Sequence, residues 1–178
     1  MLAEELKNRV GGWISRHSER FLTVPQRGTL QIRGLGLTKI PLIFFVAPSV
    51  VEATDERCEI VIPLSWRTRN HLKCMYFGAL AVGADVAGGL IAWRLIESTG
   101  NQLNLIFQDF HAEFLKRAEG DVHFACEDGV AIREMVDRAL ATGERVNHPV
   151  VVLARVPSRT GDEPVARFTL TLSLKRKK

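Results

Sequence analysis

Apolar and polar residues alternate in six segments of the chain, which is the pattern of half-buried β-strands. The last segment is the clearest, because every second position from Ala166 to Leu174 is apolar and the positions between are polar. The predicted strands cover residues 49–54, 57–64, 103–116, 121–127, 145–156 and 163–174. Turns such as Gly120-Asp121 join them, and such short connections predict antiparallel pairing.

Three other segments have the spacing of helices. The first, residues 3–21, has an apolar stripe interrupted by Gly11-Gly12. The second, from about Leu72 to Ser98, is apolar on all sides, and the third has Asp128 as its N-cap and Gly143 just after its last turn. Between the first helix and the first strand we predict a glycine-rich connection, and an apolar run at 42–47 is too short to assign. The glycines of that connection are Gly28, Gly34 and Gly36.

The predicted order of elements from residue 49 onward is β-β-α-β-β-α-β-β. A central helix that is apolar on every side needs a sheet on one face and a second cover on the other, most simply another copy of the protein. These features favour an α+β protein with a curved antiparallel sheet around a long central helix, which is the hotdog fold. The predicted organisation is an N-terminal helix and connection at 1–47, a hotdog domain at 48–174 and a basic tail at 175–178.

Composition places the chain among globular proteins, with 46% hydrophobic and 25% charged residues over 178 positions. The net charge of +4 comes from 24 basic and 20 acidic residues, and the last four residues are all basic. Since the rest of the chain is balanced, it has no basic face for nucleic acid. The tail is expected to be solvated.

The cysteine pattern and the central helix bear on location. The three cysteines, Cys58, Cys74 and Cys126, include no CxxC pair, which favours a reducing, cytoplasmic compartment. Residues 74–93 are long enough to span a bilayer. However, four glycines and a charged Asp85 at the middle argue for a buried helix instead, and no membrane span is expected.

One face of the central helix carries the candidate chemistry. It consists of small residues around a single carboxylate, Asp85, and includes Gly78, Gly88 and Gly89. Glycine costs about 1 kcal/mol relative to alanine inside a helix, so three on one face indicate close approach by a ligand or by packed strands or helices. A carboxylate in such surroundings has a raised pKa, which suits a general base. The opposite face is predicted to be bulky and apolar, formed by Phe77, Leu80, Ala84, Ala87 and Ile91.

The region around this helix resembles the hotdog-fold thioesterases, especially the phenylacetate-degradation type and a related group of uncharacterised hotdog domains. The resemblance rests on Asn70-His71, on Phe77-Gly78-Ala79-Leu80 and on Ala84-Asp85-Val86-Ala87-Gly88. In that family an Asn precedes a His-Gly-Gly turn at the start of the central helix, and an acid follows eight residues after the His. The alignment puts Phe77 at the His position, Gly78 and Ala79 at the two glycines, and Asp85 at the catalytic acid.

The resemblance implies an acyl-coenzyme A or acyl-carrier-protein thioester bound across a homodimer or tetramer interface. Asp85 would act as base or nucleophile and the Gly78 amide would stabilise the oxyanion, with His71 and Asn70 as further catalytic candidates. The implied substrate-binding residues are Phe77, Ala79, Val82, Gly88 and Gly89. Apart from the coenzyme A thioester as substrate, no cofactor is expected.

The departure from the family pattern is Phe77, which cannot donate a hydrogen bond as the usual His does. Either His71 supplies a polar group, or the protein is a weak or non-catalytic relative that binds acyl groups. A hydratase or dehydratase is a third alternative and would need Asp85 and His71 to converge. His71-x-x-Cys74 and His123-x-x-Cys126 suggest zinc, but His123 and Cys126 fall on opposite faces of a predicted strand, so no metal is expected.

Overall fold

The computed structural model describes residues 22–100 and 102–177, and the helix predicted at residues 3–21 lies outside this part of the chain. The elements, in chain order, are α1 (Val24–Thr38), α2 (Pro41–Val46), β1 (Ser49–Ala53), β2 (Cys58–Ile62), α3 (Phe77–Ser98), β3 (Leu103–Phe114), β4 (Val122–Cys126), α4 (Gly129–Thr142), β5 (Val146–Arg155), α5 (Pro157–Thr160) and β6 (Pro164–Arg176). All six predicted strands and both described predicted helices are present.

The six strands form one antiparallel sheet in the order β1-β2-β4-β5-β6-β3. The predicted α+β architecture, a sheet around a long central helix, is confirmed. One pairing differs from the expectation: β3 and β4 are joined by a short connection but are not neighbours. β4 already has β2 and β5 on its two sides, and β3 pairs instead with β6 at the far edge.

The central helix α3 lies against the inner face of the sheet, on side chains that the two-residue period of the strands points inward. Ile60 of β2 and Phe124 of β4 are completely buried there. The sequence suggested that a second copy of the protein covers the other side of α3. In the structure, α4 and α2 of the same chain cover part of that side. Four residues near the N-terminal end are left incompletely buried, and we call them the open strip: Phe77, Gly78, Ala81 and Asp85.

Helix α3 is also long and apolar enough to cross a membrane, by length and composition. In the fold, 67% of its most apolar window is buried among other elements. This burial agrees with the prediction that the helix lies in the core of the protein.

Helix α1 occupies residues for which a glycine-rich connection was predicted, and this is a correction. The backbone N–H of Thr23 donates to Oε1 of Gln26 at 2.9 Å and supports the first turn. A methyl group added at Gly28 would lie 3.1 Å from Val50, and one at Gly36 would lie 2.5 Å from the backbone nitrogen of Phe44. These glycines therefore allow close packing of the helix and do not mark a flexible linker.

The edge strand β1 is held by side chains of α1. The hydroxyl of Thr29 accepts a hydrogen bond from the backbone N–H of Val50 at 2.8 Å. The guanidinium of Arg33 donates to the carbonyl of Pro48 at 3.0 Å and to the hydroxyl of Ser49 at 2.9 Å. Polar groups on this edge of the sheet are thus paired with a helix.

Helix α4 has the predicted boundaries. Asp128 occupies the N-cap position, but its carboxylate accepts the backbone N–H of Val151 in β5 at 2.7 Å instead of capping its own helix. Gly143 ends the helix with a φ of 71°, a left-handed conformation that glycine adopts without steric cost.

The predicted basic tail is not a free end, which is a second correction. Lys175 and Arg176 belong to β6 and pair with Asn104 and Leu103 of β3. The backbone N–H of Lys177 donates to the carbonyl of Gln102 at 2.8 Å. The apolar alternation ends at Leu174, but backbone pairing does not depend on apolar side chains and continues beyond it.

Deleting residues 175–178 is therefore expected to destabilise the protein. Loss of two paired positions and one further hydrogen bond should cost about 1–2 kcal/mol, which lowers Tm by roughly 2–8 °C in a chain of this size. Thermal unfolding followed by circular dichroism measures the change. Lys175→Gln keeps the backbone bonds and is the control. An unchanged Tm in the deletion variant would contradict the pairing described above.

Candidate active site

Asp85 lies on the open strip of α3, where the helix approaches strand β3. Gly89, one turn further along and about 40° around the axis, faces the side chains of Phe107 and Leu105. Burial raises the pKa of Asp85 to about 6. Within residues 22–100 and 102–177, no hydrogen bond or ion pair to the carboxylate is found. A carboxylate that is partly buried and unpaired can accept a proton near neutral pH, as a general base must.

The surroundings of Asp85 explain this pKa. The helix positions within about two turns of it and within about 40° around the axis are Gly78, Ala81, Gly89 and Ala92, which have no group that could neutralise a charge. The nearby cation on the helix, Arg94, donates to the carbonyl of Ala53 at 2.9 Å, on another side of α3. Desolvation is thus not offset by a partner, and the protonated form is favoured.

The N-terminus of α3 provides unpaired amide groups. Tyr76 is the N-cap residue, and its side chain makes no capping hydrogen bond. The backbone N–H groups of Phe77 and Gly78 have no acceptor in the described part of the chain. These groups and the positive end of the helix dipole favour an anion. An added methyl group at Gly78 would lie 2.6 Å from the ring of Tyr76, so this half-exposed ring would have to move.

Asp85 and this helix end are separated along the axis. Asp85 comes seven positions after Gly78, which corresponds to about 10 Å along an α-helix. Since amide groups point toward the N-terminus, an anion bound there would be further still from the carboxylate. A single carbonyl group therefore cannot contact both groups of one chain.

The predicted helix start is wrong by five residues: α3 begins at Phe77, not Leu72. Asn70 is therefore not a helix cap. Its side-chain oxygen accepts the backbone N–H groups of Leu72 at 2.9 Å and Cys74 at 3.2 Å and forms a tight turn. Lys73 in this turn has a φ of 62°, which ends any helical continuation. Local hydrogen bonds from Asn thus compete with the helix.

His71 is exposed in this same turn. No hydrogen bond joins it to Asp85 in the part of the chain that the structure describes. A hydratase would need His71 and Asp85 to converge, and within the described chain they do not.

The residues implied to bind substrate fall into two groups. Phe77 is 60% exposed, whereas Leu80, Ala84, Ala87 and Ile91 of the same predicted apolar face are buried. Ala79, Val82, Gly88 and Gly89 are buried within the single chain. An added methyl group at Gly89 would lie 3.3 Å from Phe107, which is tight, so packing against the sheet, the alternative left open by the sequence, accounts for this glycine. A methyl group at Gly88 would be in ordinary contact with Val150 and Val152 at 3.4 Å, so packing does not demand a glycine there.

Sequence reasoning missed the importance of Thr68. Its side chain is nearly fully buried, and its hydroxyl donates to the carbonyl of Pro63 at 2.6 Å and accepts the N–H of Ser65 at 2.9 Å. Its carbonyl accepts the N–H of Tyr76 at 2.7 Å and so fixes the start of α3. An isolated Thr in a polar segment has no periodic signal from which this could be predicted.

A second group of titratable residues lies on the outer face of the sheet. Nδ1 of His123 is 2.8 Å from Oε1 of Glu59, and Arg57 bonds the other oxygen at 2.5 Å. Burial opposes ionisation of Glu59, but these two hydrogen bonds outweigh it and lower its pKa. Cys126 points to the opposite, buried face, as predicted. No group of three or more potential metal ligands occurs among the described residues.

Two cavities lie elsewhere on the molecule. One of about 590 Å³ is bordered by His123 and Arg159, and one of about 260 Å³ by Arg94 and Arg133. Asp85 lines neither of them.

The arrangement of a curved sheet around α3 is shared with solved structures of thioesterases. A protein from Pseudomonas aeruginosa described as a "Probable Thioesterase" has a TM-score of 0.69 at 21% identity and covers 84% of this chain and 96% of its own. A thioesterase from Haemophilus influenzae has a TM-score of 0.61 at 13% identity, covering 88% and 93%. A protein of unknown function from Chlorobaculum tepidum has a TM-score of 0.73 at 11% identity, covering 86% and 97%. The chain therefore has the hotdog fold that these structures share, as predicted.

Residues 29–174 match the family described as Domain of unknown function (DUF4442), and the chain belongs to that family. No curated protein sequence matches the chain.

Proposed function

We propose that the protein hydrolyses an acyl thioester, carried by coenzyme A or by an acyl-carrier protein, and that Asp85 drives the reaction. The observation that carries the proposal is a partly buried, unpaired carboxylate with a pKa of about 6 on the open strip of the central helix. Its position in a hotdog fold shared with thioesterases supports this chemistry.

The proposed step is attack on the thioester carbonyl carbon. As a general base, Asp85 takes a proton from a water molecule while the water oxygen bonds to the carbon. The carbon–sulfur bond then breaks, and the thiolate leaves as a thiol after protonation, so the products are a carboxylic acid and a thiol. As a nucleophile, Asp85 would instead form a mixed anhydride that water hydrolyses. In both cases the amides of Phe77 and Gly78 stabilise the negative carbonyl oxygen.

This mechanism requires two copies of the chain. The separation of about 10 Å between Gly78 and Asp85 along the helix means that the amides and the acid must come from different protomers. The outer edge of β3 supports such pairing, because no strand in the described chain pairs with it. Ile106, Phe110 and Phe114 of β3 are all more than 40% exposed, and Asp85 lies on the side of α3 that approaches this strand.

A homodimer, which two dimers can extend to a tetramer, is accordingly expected in solution. Light scattering coupled to size exclusion should give at least twice the chain mass of 19.9 kDa. An Asp substitution at Ile106, on the exposed edge of β3, should shift the protein toward monomer, because it puts charge into an apolar contact. A parent protein that stays monomeric at micromolar concentration would contradict the shared site.

The function is tested by thiol release from a panel of acyl-coenzyme A and acyl-carrier-protein thioesters. Release by the parent, lost in Asp85→Asn, is the expected result. Phe77 favours one second candidate, a non-catalytic acyl-binding domain, because it offers no hydrogen bond where related thioesterases have a His. Binding of an acyl thioester without any thiol release would favour this candidate and overturn hydrolysis.

A further inference from the structure

The loop that leads into α3 presents an exposed indole. We call residues 65–73 the basic loop. Trp66 within it is 73% exposed, although tryptophan is normally among the more buried residues. The ring of Phe45 meets the indole edge-on at 6.1 Å between centroids and supports one side of it. The guanidinium carbon of Arg67 lies 5.8 Å from the indole centroid. A flat aromatic surface is thus held in place at the protein surface beside a cation.

The basic loop also carries positive charge without ion-pair partners. Arg67, Arg69 and Lys73 are exposed, and residues 63–76 contain no Asp or Glu. Two carboxylates of a neighbouring segment lie at the ends of the loop: Oδ1 of Asp121 accepts the backbone N–H of Leu64 at 2.8 Å, and Oε1 of Glu119 is 3.9 Å from Sγ of Cys74. Within the described residues none of these three cations forms an ion pair, whereas Arg57 and Arg133 elsewhere are paired with carboxylates. Three unpaired cations within seven residues create a local positive potential that favours a ligand with several negative charges.

The conformation of the basic loop is fixed before any ligand binds. Thr68 is buried and ties the loop to Pro63, and Asn70 holds the following turn. A loop anchored in this way loses little conformational entropy on binding, which favours affinity.

The basic loop is also close to the proposed reaction site. The carbonyl of Thr68 accepts the backbone N–H of Tyr76, the N-cap of α3, at 2.7 Å. Trp66 precedes Thr68 by two residues, so their Cα atoms are at most about 7 Å apart. The indole therefore lies near the helix end that would hold the thioester oxygen, and the long pantetheine arm of coenzyme A can bridge the gap.

We propose that the basic loop binds the 3′-phosphoadenosine diphosphate end of coenzyme A, with the adenine stacked on Trp66 and the phosphates held by Arg67 and Arg69. The inference rests on the proposed thioesterase function and narrows its substrate from any acyl thioester to acyl-coenzyme A. An acyl-carrier protein presents the same pantetheine arm but has no purine to cover the exposed indole. Aromatic stacking and Arg–phosphate contacts are the two interactions that such a nucleotide requires.

The first test measures nucleotide binding by the full chain without any turnover. Isothermal titration with adenosine 3′,5′-bisphosphate should show binding that weakens as salt is raised. Trp66→Ala should weaken it at least fivefold, the lower end of what loss of one stacked base costs, while Trp66→Phe keeps most of the affinity. Arg67→Ala and Arg69→Ala should each weaken binding and reduce its dependence on salt. Arg138→Ala removes an exposed arginine from α4 and is the matched control with unchanged affinity.

The second test compares an acyl-coenzyme A with the same acyl group on N-acetylcysteamine, which lacks the nucleotide. The parent should prefer the coenzyme A thioester in kcat/KM, and Trp66→Ala should reduce that preference at least fivefold, mainly through KM. Because Trp66 is exposed, the variant is expected to fold normally, and its unfolding curve checks this.

The two proposals fail in different ways. Nucleotide binding that depends on Trp66, without hydrolysis of any thioester, would support the basic loop and overturn the thioesterase function. Hydrolysis with no detectable nucleotide binding, or with equal affinity in Trp66→Ala, would overturn the nucleotide site and leave the thioesterase function standing. Hydrolysis of an acyl-carrier-protein thioester that depends on Arg67 and Arg69, in a protein that does not bind the nucleotide, would also overturn it.

Discussion

Replacing Asp85 by Asn is expected to lower kcat/KM for thioester hydrolysis by about 100-fold or more and, at the same time, to stabilise the protein at pH 7. The loss of activity has the size typical of removing a general base. The gain in stability follows from the burial that raises the pKa of Asp85 to about 6, because the charged form is poorly solvated in the fold. Opposite changes in activity and stability distinguish a catalytic acid from a structural one.

The sign of the stability effect follows from the two pKa values. Asp has a pKa of 3.8 when unperturbed and about 6 in the folded protein, so the folded state holds its proton more tightly. The parent is therefore favoured at low pH, and its free energy of unfolding falls as pH rises from about 4 to about 6. Asn carries no charge, and the variant should be more stable by about 2–3 kcal/mol above pH 6. Unfolding curves at pH 5 and pH 8 measure the difference, which should shrink at the lower pH.

The activity of the parent should rise with pH through about 6, because only the ionised carboxylate can act as base or nucleophile. His71→Ala in the same assay is the comparison. Full activity of the Asn variant would remove Asp85 from the mechanism and leave His71 as the candidate. Destabilisation of the Asn variant at pH 8 would mean instead that the carboxylate has a stabilising partner.

Replacing Gly83 by Ala is expected to cost up to about 2 kcal/mol of stability. A methyl group on Gly83 would lie 2.3–2.6 Å from the ring of Phe124, which is completely buried and packs near Phe168. The ring cannot move away without displacing its neighbours, and overpacking of this kind typically costs 1–3 kcal/mol. This loss exceeds the roughly 1 kcal/mol that Ala gains over Gly in a helix.

The matched control is Gly34→Ala in helix α1. Nothing lies within 4 Å of the methyl group that this change adds, so only the helix preference acts, and stability should rise by up to about 1 kcal/mol. Urea unfolding gives the midpoint and slope for each variant. Equal changes in the two variants would show that Phe124 yields easily, contrary to the packing described.

The strands and the central helix could be predicted because their periods of 2 and 3.6 residues reflect burial directly. Asp85 could be identified as the candidate acid for a related reason, because it is the single charge in a long apolar segment. The pairing of β3 with β6 could not be predicted in this way, because alternation shows which face of a strand is buried and not which strand lies beside it. Backbone pairing beyond Leu174 likewise leaves no hydrophobic pattern.

The predicted and observed structures differ in α1 and at the start of α3, and both differences have local causes. A glycine-rich segment in a sequence can be a flexible linker or a closely packed helix. Only the contacts of Gly28 with Val50 and of Gly36 with Phe44 show that α1 is closely packed. The start of α3 was misplaced because side-chain bonds from Asn70 hold a turn in a segment with helical spacing. The separation of Gly78 from Asp85 could be counted from the sequence once the helix start was known, but not before.

The two edges of the sheet have different consequences for self-association. At the β1 edge, Thr29 of α1 accepts the backbone N–H of Val50 and Arg33 donates to the carbonyl of Pro48, whereas no strand of the described chain pairs with the outer edge of β3. If two copies join through β3, as proposed above, the two β1 edges, each shielded by α1, become the ends of the combined sheet. Growth of the sheet would then stop after one such union, and the open-ended stacking that leads to fibres would have no edge from which to continue.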